Sequence, residues 1–187
     1  MIRLEKKNSN TREIYNKCML EHFNESGLDY SDMWRINWLL GQFKNGRLLD
    51  VGCGVSPLAL IASQKPDSEV WAMDFADELI EKLKSNSKVN YVVGDINALP
   101  FKNKYFDYVV LGEVLEHSEN PESVINEVRR VLKDDGIMAI SCPNNETAEN
   151  HLYKQHIWSI SSEDIRKLVN VIKIEIIGNN IMCYARP

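Results

Sequence analysis

The chain has 187 residues, about the size of one domain, and 44% of them are apolar, enough for an ordinary core. Its 22 basic and 27 acidic residues leave a net charge of -5, so no global positive field is available to hold a phosphate backbone, and nucleic acid is disfavoured as a partner. Cys18, Cys53, Cys142 and Cys183 lie far apart with no Cys-x-x-Cys pair and no signal peptide ahead of them, and no apolar stretch approaches the roughly 20 residues that span a bilayer. The expectation is a reduced, cytoplasmic, soluble protein without structural zinc or a membrane anchor.

After a mostly polar first ten residues, apolar positions recur at helical spacing from residue 11 to about 43: Ile14, Cys18, then Met33, Ile36, Leu39 and Leu40. Gly27 and the run Asp29-Tyr30-Ser31-Asp32 break this stretch into two helices, with Ser31 or Asp32 as N-cap. Past Asn45-Gly46 the pattern alternates: strands at 47–51, 69–73, 89–93, 106–111 and 136–142, helices at 57–64, 76–85 and 121–132. Strands separated by helices need crossover connections, which build a parallel sheet covered on both faces. At the end, a short helix at 162–169 precedes runs at 171–177 and 181–185 joined by Gly178-Asn179-Asn180, the spacing of a hairpin, so the last strand runs antiparallel to its neighbour. Residues 1–45 form a helical segment ahead of a single domain at 46–187.

Asp50-x-Gly52-x-Gly54 falls where the first strand of the alternating region ends and a helix begins, the region where open α/β sheets bind ligands. Glycines there allow sharp turns and let a ligand approach the main chain. A dinucleotide fingerprint needs a third small residue at position 57, where this chain has Pro57, a residue suited to a first helical turn. Asp74 ends the next strand, where a carboxylate accepts hydrogen bonds from ribose hydroxyls or caps a helix. Asp95 and Ile96 close the strand after that; the acid suits an adenine amino group and the isoleucine a ring face, with turn chemistry as the plain alternative.

Five segments together resemble the class I S-adenosylmethionine (SAM)-dependent methyltransferases, within the group that includes the ubiquinone-biosynthesis enzymes. They are Leu-Leu-Asp-Val-Gly-Cys-Gly, Ala-Met-Asp-Phe, Gly-Asp-Ile-Asn-Ala-Leu-Pro-Phe, Phe-Asp-Tyr-Val-Val-Leu-Gly-Glu-Val-Leu-Glu-His and Glu-Val-Arg-Arg-Val-Leu-Lys-Asp-Asp-Gly, spread over residues 47–142. The resemblance implies a Rossmann-like, mostly parallel seven-stranded α/β sheet with an antiparallel last strand, and SAM as cofactor with S-adenosylhomocysteine as product. It places Asp50, Gly52 and Gly54 around the methionine part of SAM, Asp74 at the ribose, Asp95 with Ile96 at the adenine and Glu113 near the amino group; Cys53 and Phe75 are counted with them. Many relatives carry a third glycine at the place of Ser56, and serine can instead cap the following helix.

Glu113-Val114-Leu115-Glu116-His117 follows the fourth strand, near the transferred methyl group in that architecture, and admits three readings. Its polar side chains are satisfied locally; or His117 is a general base toward an acceptor hydroxyl; or the carboxylates and imidazole turn toward a divalent metal. The last resembles an element that binds metal in some small-RNA and ubiquinone-pathway methyltransferases, but the same residues also occur in relatives with no known metal, and no metal ligand is assigned. His151, Tyr153, His156 and Trp158 cluster after the fifth strand, and His156 joins His117 as a catalytic candidate.

Displacement at a sulfonium needs alignment and exclusion of water rather than a covalent residue. Insertions that could cover the acceptor are short here, so the lid falls to the N-terminal helices, with Tyr15, Phe23, Tyr30, Trp34 and Trp38 as covering candidates or ordinary packing residues. A small lid leaves the acceptor site open, for a bulky substrate or for completion by a second subunit in a homodimer. The expected activity is methyl transfer to oxygen or nitrogen of a small molecule. The alternatives are an RNA or protein methyltransferase, a non-catalytic SAM-binding subunit and, against Pro57, an NAD-dependent oxidoreductase.

Overall fold

The computed structural model describes residues 1–4, 12–85, 88–145 and 156–187; His151 and Tyr153 fall outside them. The chain runs through β1 (Ile2–Arg3), α1 (Arg12–Ser26), α2 (Met33–Leu39), β2 (Gly46–Val51), α3 (Leu58–Ala62), β3 (Ser68–Asp74), α4 (Asp77–Leu83) and β4 (Val89–Val93). It continues with β5 (Phe106–Gly112), a 3-10 turn (Leu115–His117), α5 (Pro121–Val131), β6 (Leu132–Pro143), β7 (Trp158–Ser159), α6 (Ser162–Leu168), β8 (Asn170–Ile177) and β9 (Asn180–Arg186).

Seven strands form one sheet in the order β4-β3-β2-β5-β6-β9-β8. The pairs from β4 across to β6 are parallel, and β9 is antiparallel to both β6 and β8. This is the expected α/β sheet with its last strand reversed, and Gly178, at φ +59, turns the hairpin. The strand order reverses between β3 and β5, on either side of β2, which opens a crevice at the carboxyl end of β2.

Alternation along the strands explains the layering. Leu49, Val51, Val109 and Leu111 share one apolar cluster, while Leu48, Tyr108 and Val110 belong to the cluster on the other side. The helix α5 buries Val124, Ile125, Val128 and Val131 in the first cluster; each such side chain contributes about 1.5–3 kcal/mol relative to exposure. Asn120 starts it, its side chain accepting from the Ser123 N–H at 3.2 Å, with Pro121 in the first turn.

Several boundaries differ from expectation. The helix expected over 57–64 occupies Leu58–Ala62, and that expected over 76–85 occupies Asp77–Leu83. The strand expected at 136–142 begins at Leu132, because the chain turns extended at once after α5 and pairs Leu132 with Phe106. Asp32 precedes α2, yet its carboxylate makes no cap and pairs with Arg35 at 2.7 Å. The two short strands β1 and β7 form a separate antiparallel pair that residue patterning did not announce. Among the described residues no helix is long and apolar enough to cross a membrane.

Candidate functional site

Each candidate residue on the sheet stands at or just past the carboxyl end of a strand. After β2 the backbone turns through Gly52, at φ +69, where a Cβ would come within 2.9 Å of Val114 Cγ2; both conformation and space require glycine there. The N–H groups of Gly52 and Cys53 donate to the Met73 carbonyl at 2.7 and 3.0 Å, and Gly54 N–H donates to Asp74 Oδ2 at 2.9 Å. The loop is thus anchored to the end of β3. Ser56 Oγ accepts from the Leu58 N–H at 3.2 Å, a local turn ahead of α3, whose N-cap position is Pro57 and carries no side-chain cap.

Asp74 is buried, and its Oδ1 accepts from the Ala76 N–H at 3.0 Å, a turn bond just ahead of α4, whose N-cap position, Ala76, has no side-chain cap. The same residue also forms part of the cavity wall. Tyr15, from α1, directs its hydroxyl toward Asp74 Oδ2 at 3.5 Å and stacks on Phe75 with ring centroids 4.6 Å apart. Asp95 Oδ1 accepts from the Asn97 backbone and side chain at 2.8 and 3.0 Å, a local turn, while Asp95 and Ile96 also face the cavity.

Asp50 is 3% exposed, and its Oδ2 has no hydrogen-bond partner among the described residues. Burial, with Asp74 nearby, pushes its carboxyl up to about 7. Asp74 is also raised, chiefly by burial, against the opposing pull of its backbone N–H bonds. Glu113 takes the left-handed conformation, φ +57, rare for a residue with a side chain. Its Oε1 accepts from Ser141 Oγ at 2.8 Å, and its Oε2 lies 3.4 Å from an Arg35 nitrogen. Burial raises its carboxyl although Arg35 acts in the opposite sense.

The loop after β6 docks on the 3-10 turn: Ile157 N–H donates to the Glu116 carbonyl at 2.7 Å, and Trp158 Nε1 donates to the Ser118 carbonyl at 2.8 Å. This brings His156, buried, against His117 with ring centroids 4.7 Å apart. One ligand atom from each of Glu116, His117 and His156 lies within 4.8 Å of the others.

Two adjoining cavities of about 540 and 470 Å³, a size usual for small-molecule sites, share Tyr15, Gly52, Glu113 and His117 as wall residues. The first is also lined by Asp74, Phe75, Asp95 and Ile96, the second by Asp50, Cys53, Gly54 and His156. The fold therefore brings together every residue singled out in the sequence as cofactor-binding or catalytic.

A model of a methyltransferase domain matches residues 49–140, the stretch that builds these walls. Residues 49–140 belong to the class I SAM-dependent methyltransferases. The chain is 35% identical over 100 residues to the demethylmenaquinone methyltransferase of Staphylococcus carnosus, covering 50% of this chain and 42% of that one. Against the demethylmenaquinone methyltransferase of Lactococcus lactis the identity is 27% over 169 residues, 79% of this chain and 66% of the relative. The chain thus spans less than two thirds of the length of these relatives. A SAM-dependent methyltransferase from Aquifex aeolicus shares the fold at a TM-score of 0.68 and 18% identity, covering 95% of this chain and 98% of the other.

The walls fit the cofactor of that family. SAM carries a sulfonium and an ammonium, and the buried, unpartnered Asp50 oxygen, the buried Asp74 carboxylate and the partly buried Glu113 carboxylate gain from positive charge beside them. Sequence reasoning missed Arg35 and Ser141, which have no motif of their own. Of the five covering candidates, Tyr15 alone lines either cavity. Trp34 and Tyr30 are exposed, Phe23 packs on the core, and Trp38 stacks on Tyr184 with centroids 4.1 Å apart, donating to Glu175 at 3.0 Å.

Proposed function

We propose that the chain transfers a methyl group from SAM to an oxygen or nitrogen of a small-molecule acceptor. The observation that carries this is the convergence of Asp74, Asp95 and Glu113, from three successive strand ends, on one cleft with the glycine turn at its centre. Two relatives named for demethylmenaquinone support an acceptor of small-molecule size.

When bound, SAM supplies an activated methyl on a sulfonium; the acceptor lone pair forms the new bond to carbon while the C–S pair returns to sulfur, leaving neutral S-adenosylhomocysteine. Asp74 takes the ribose hydroxyls, Asp95 and Ile96 the adenine, and the turn Gly52-Cys53-Gly54 with Asp50 and Glu113 the methionine end. Phe75 and Tyr15 cover the ribose side, and the segment 1–45 serves as the lid. His117 and His156 stand at the acceptor end, where an imidazole accepts the proton an acceptor hydroxyl loses. Calorimetric titration with SAM and with NAD tests the assignment. SAM is expected to bind with heat and NAD to give none; failure of SAM to bind, or NAD binding in its place, sinks it.

The grouping of Glu116, His117 and His156 favours a second reading of the acceptor end. Two imidazoles and a carboxylate suit a first-row divalent cation, and an ion there would lower the pKa of an acceptor hydroxyl. The chain, stripped of metal, is expected to take up one equivalent of Co²⁺ with a visible ligand-field spectrum, and the spectrum to vanish in His156→Ala. A featureless titration leaves the proton-accepting reading alone.

A further inference from the structure

The large sheet ends on β8, which pairs with β9 along one flank. Among the described residues, none outside β9 forms a backbone-to-backbone hydrogen bond with residues 171–177. The other flank is therefore an open edge, and the strand that carries it is apolar: Ile172 and Ile176 are each 52% exposed and Ile177 is 37% exposed. An edge of this kind is a template for a further strand.

Charge on β8 selects which strand fits. Lys173 and Glu175 stand two residues apart, hence on one face, opposite Tyr184 and Met182 of β9. Lys173 Nζ lies 3.0 Å from Glu175 Oε2, and Glu175 also accepts from Trp38. A lysine on an edge discourages indiscriminate pairing, and so does the irregularity between Val171 and Lys173. A second copy of β8 turns the lysine into a register mark. In an antiparallel pair about a two-fold axis perpendicular to the sheet, each face stays on its own side, so the axis passes through a residue position. Through Ile174 it sets each Lys173 opposite a Glu175, with Ile176 beside Ile172. Through Lys173 or Glu175 it sets like charges opposite each other, and through Ile172 or Ile176 it leaves a charge opposite Val171 or Ile177.

We propose that β8 is the interface of a homodimer, in which two copies of this strand pair antiparallel about Ile174 and the two sheets join edge to edge. Lys173 of each copy lies opposite Glu175 of the other, and Ile172 and Ile176 of both leave water at the seam. No residue of β8 is among the described wall residues of either cavity, so the seam lies away from the cleft and is independent of the cofactor reading.

Sedimentation velocity on the wild-type chain, from about 1 to about 200 µM, is expected to show monomer giving way to dimer. Lys173→Glu and Glu175→Lys each turn two facing pairs of opposite charge into like-charge pairs, and each is expected to weaken dimerisation by at least about tenfold. The double exchange Lys173→Glu/Glu175→Lys should restore it. Mixing the two single variants should give a heterodimer tighter than either variant forms with itself. That mixture isolates attraction between copies, because neither single variant keeps the Lys173 to Glu175 pair within its own chain. Amide hydrogen exchange on the wild type needs no variant to fold: residues 173–177 are expected to exchange more slowly in the concentrated sample. A wild type that stays monomeric throughout, or a dimer whose amides at 173–177 exchange at one rate regardless of concentration, overturns the proposal. So does a mixture of the single variants that remains as monomeric as its components.

Discussion

Asp74→Ala is expected to weaken SAM binding by at least about a hundredfold. Two hydrogen bonds from ribose hydroxyls to a carboxylate are worth about 1.5–3 kcal/mol each, and alanine removes both. The same change strands the N–H groups of Gly54 and Ala76, which now donate to this carboxylate at 2.9 and 3.0 Å. The glycine turn thereby loses an anchor, and the melting temperature of the ligand-free chain should fall as well. Asp74→Asn keeps the side-chain shape and one carbonyl acceptor, so its melting temperature should stay nearer wild type while its SAM affinity drops. Titration and thermal melts on the two variants separate ligand contact from loop support. A SAM affinity within threefold of wild type in Asp74→Ala would remove Asp74 from the cofactor site.

The second large effect is a pH dependence set by Asp50. Its carboxyl is pushed up to about 7 by burial and by Asp74, so below that pH it is largely protonated in the folded chain. In the unfolded chain it titrates near an ordinary aspartate, about 3.9. Between these values the folded state holds a proton the unfolded state has lost; Asp50 therefore makes the ligand-free chain less stable as pH rises from about 4 to about 7. SAM binding responds in the opposite sense, because the cationic cofactor favours the ionised carboxylate. From pH 6 to pH 8 the ionised fraction of a group titrating near 7 rises about tenfold, and SAM affinity is expected to rise by up to that factor. Asp50→Asn should lose this rise and flatten the Asp50 part of the stability slope. Identical affinity profiles for wild type and Asp50→Asn across that range would show that Asp50 does not sense the ligand.

The walls of the cleft around the glycine turn were legible because they are built locally. A parallel strand must end, turn and enter a helix, and the residues at that corner are contiguous: Asp50, Gly52 and Gly54 at one, Asp74 and Phe75 at the next, Asp95 and Ile96 at the third. The missed features join parts of the chain that no short pattern connects. Arg35 belongs to a helix whose apolar spacing says only that it packs, and Ser141 reads as one more strand residue. Trp38 had the composition of a covering residue, yet the Tyr184 ring on β9 and the Glu175 carboxylate on β8 draw it to the far edge of the sheet.

What the sequence by itself determined is the chain order of the helices and of the seven strands of the large sheet, the reversed final strand and the acids at successive strand ends, since period, turn chemistry and spacing act over a few residues. Tertiary structure alone decided which helix carries a cation into the cavity and that His156 meets His117. Those contacts depend on how the packed layers bring distant segments together, through backbone bonds such as that from Ile157 to Glu116.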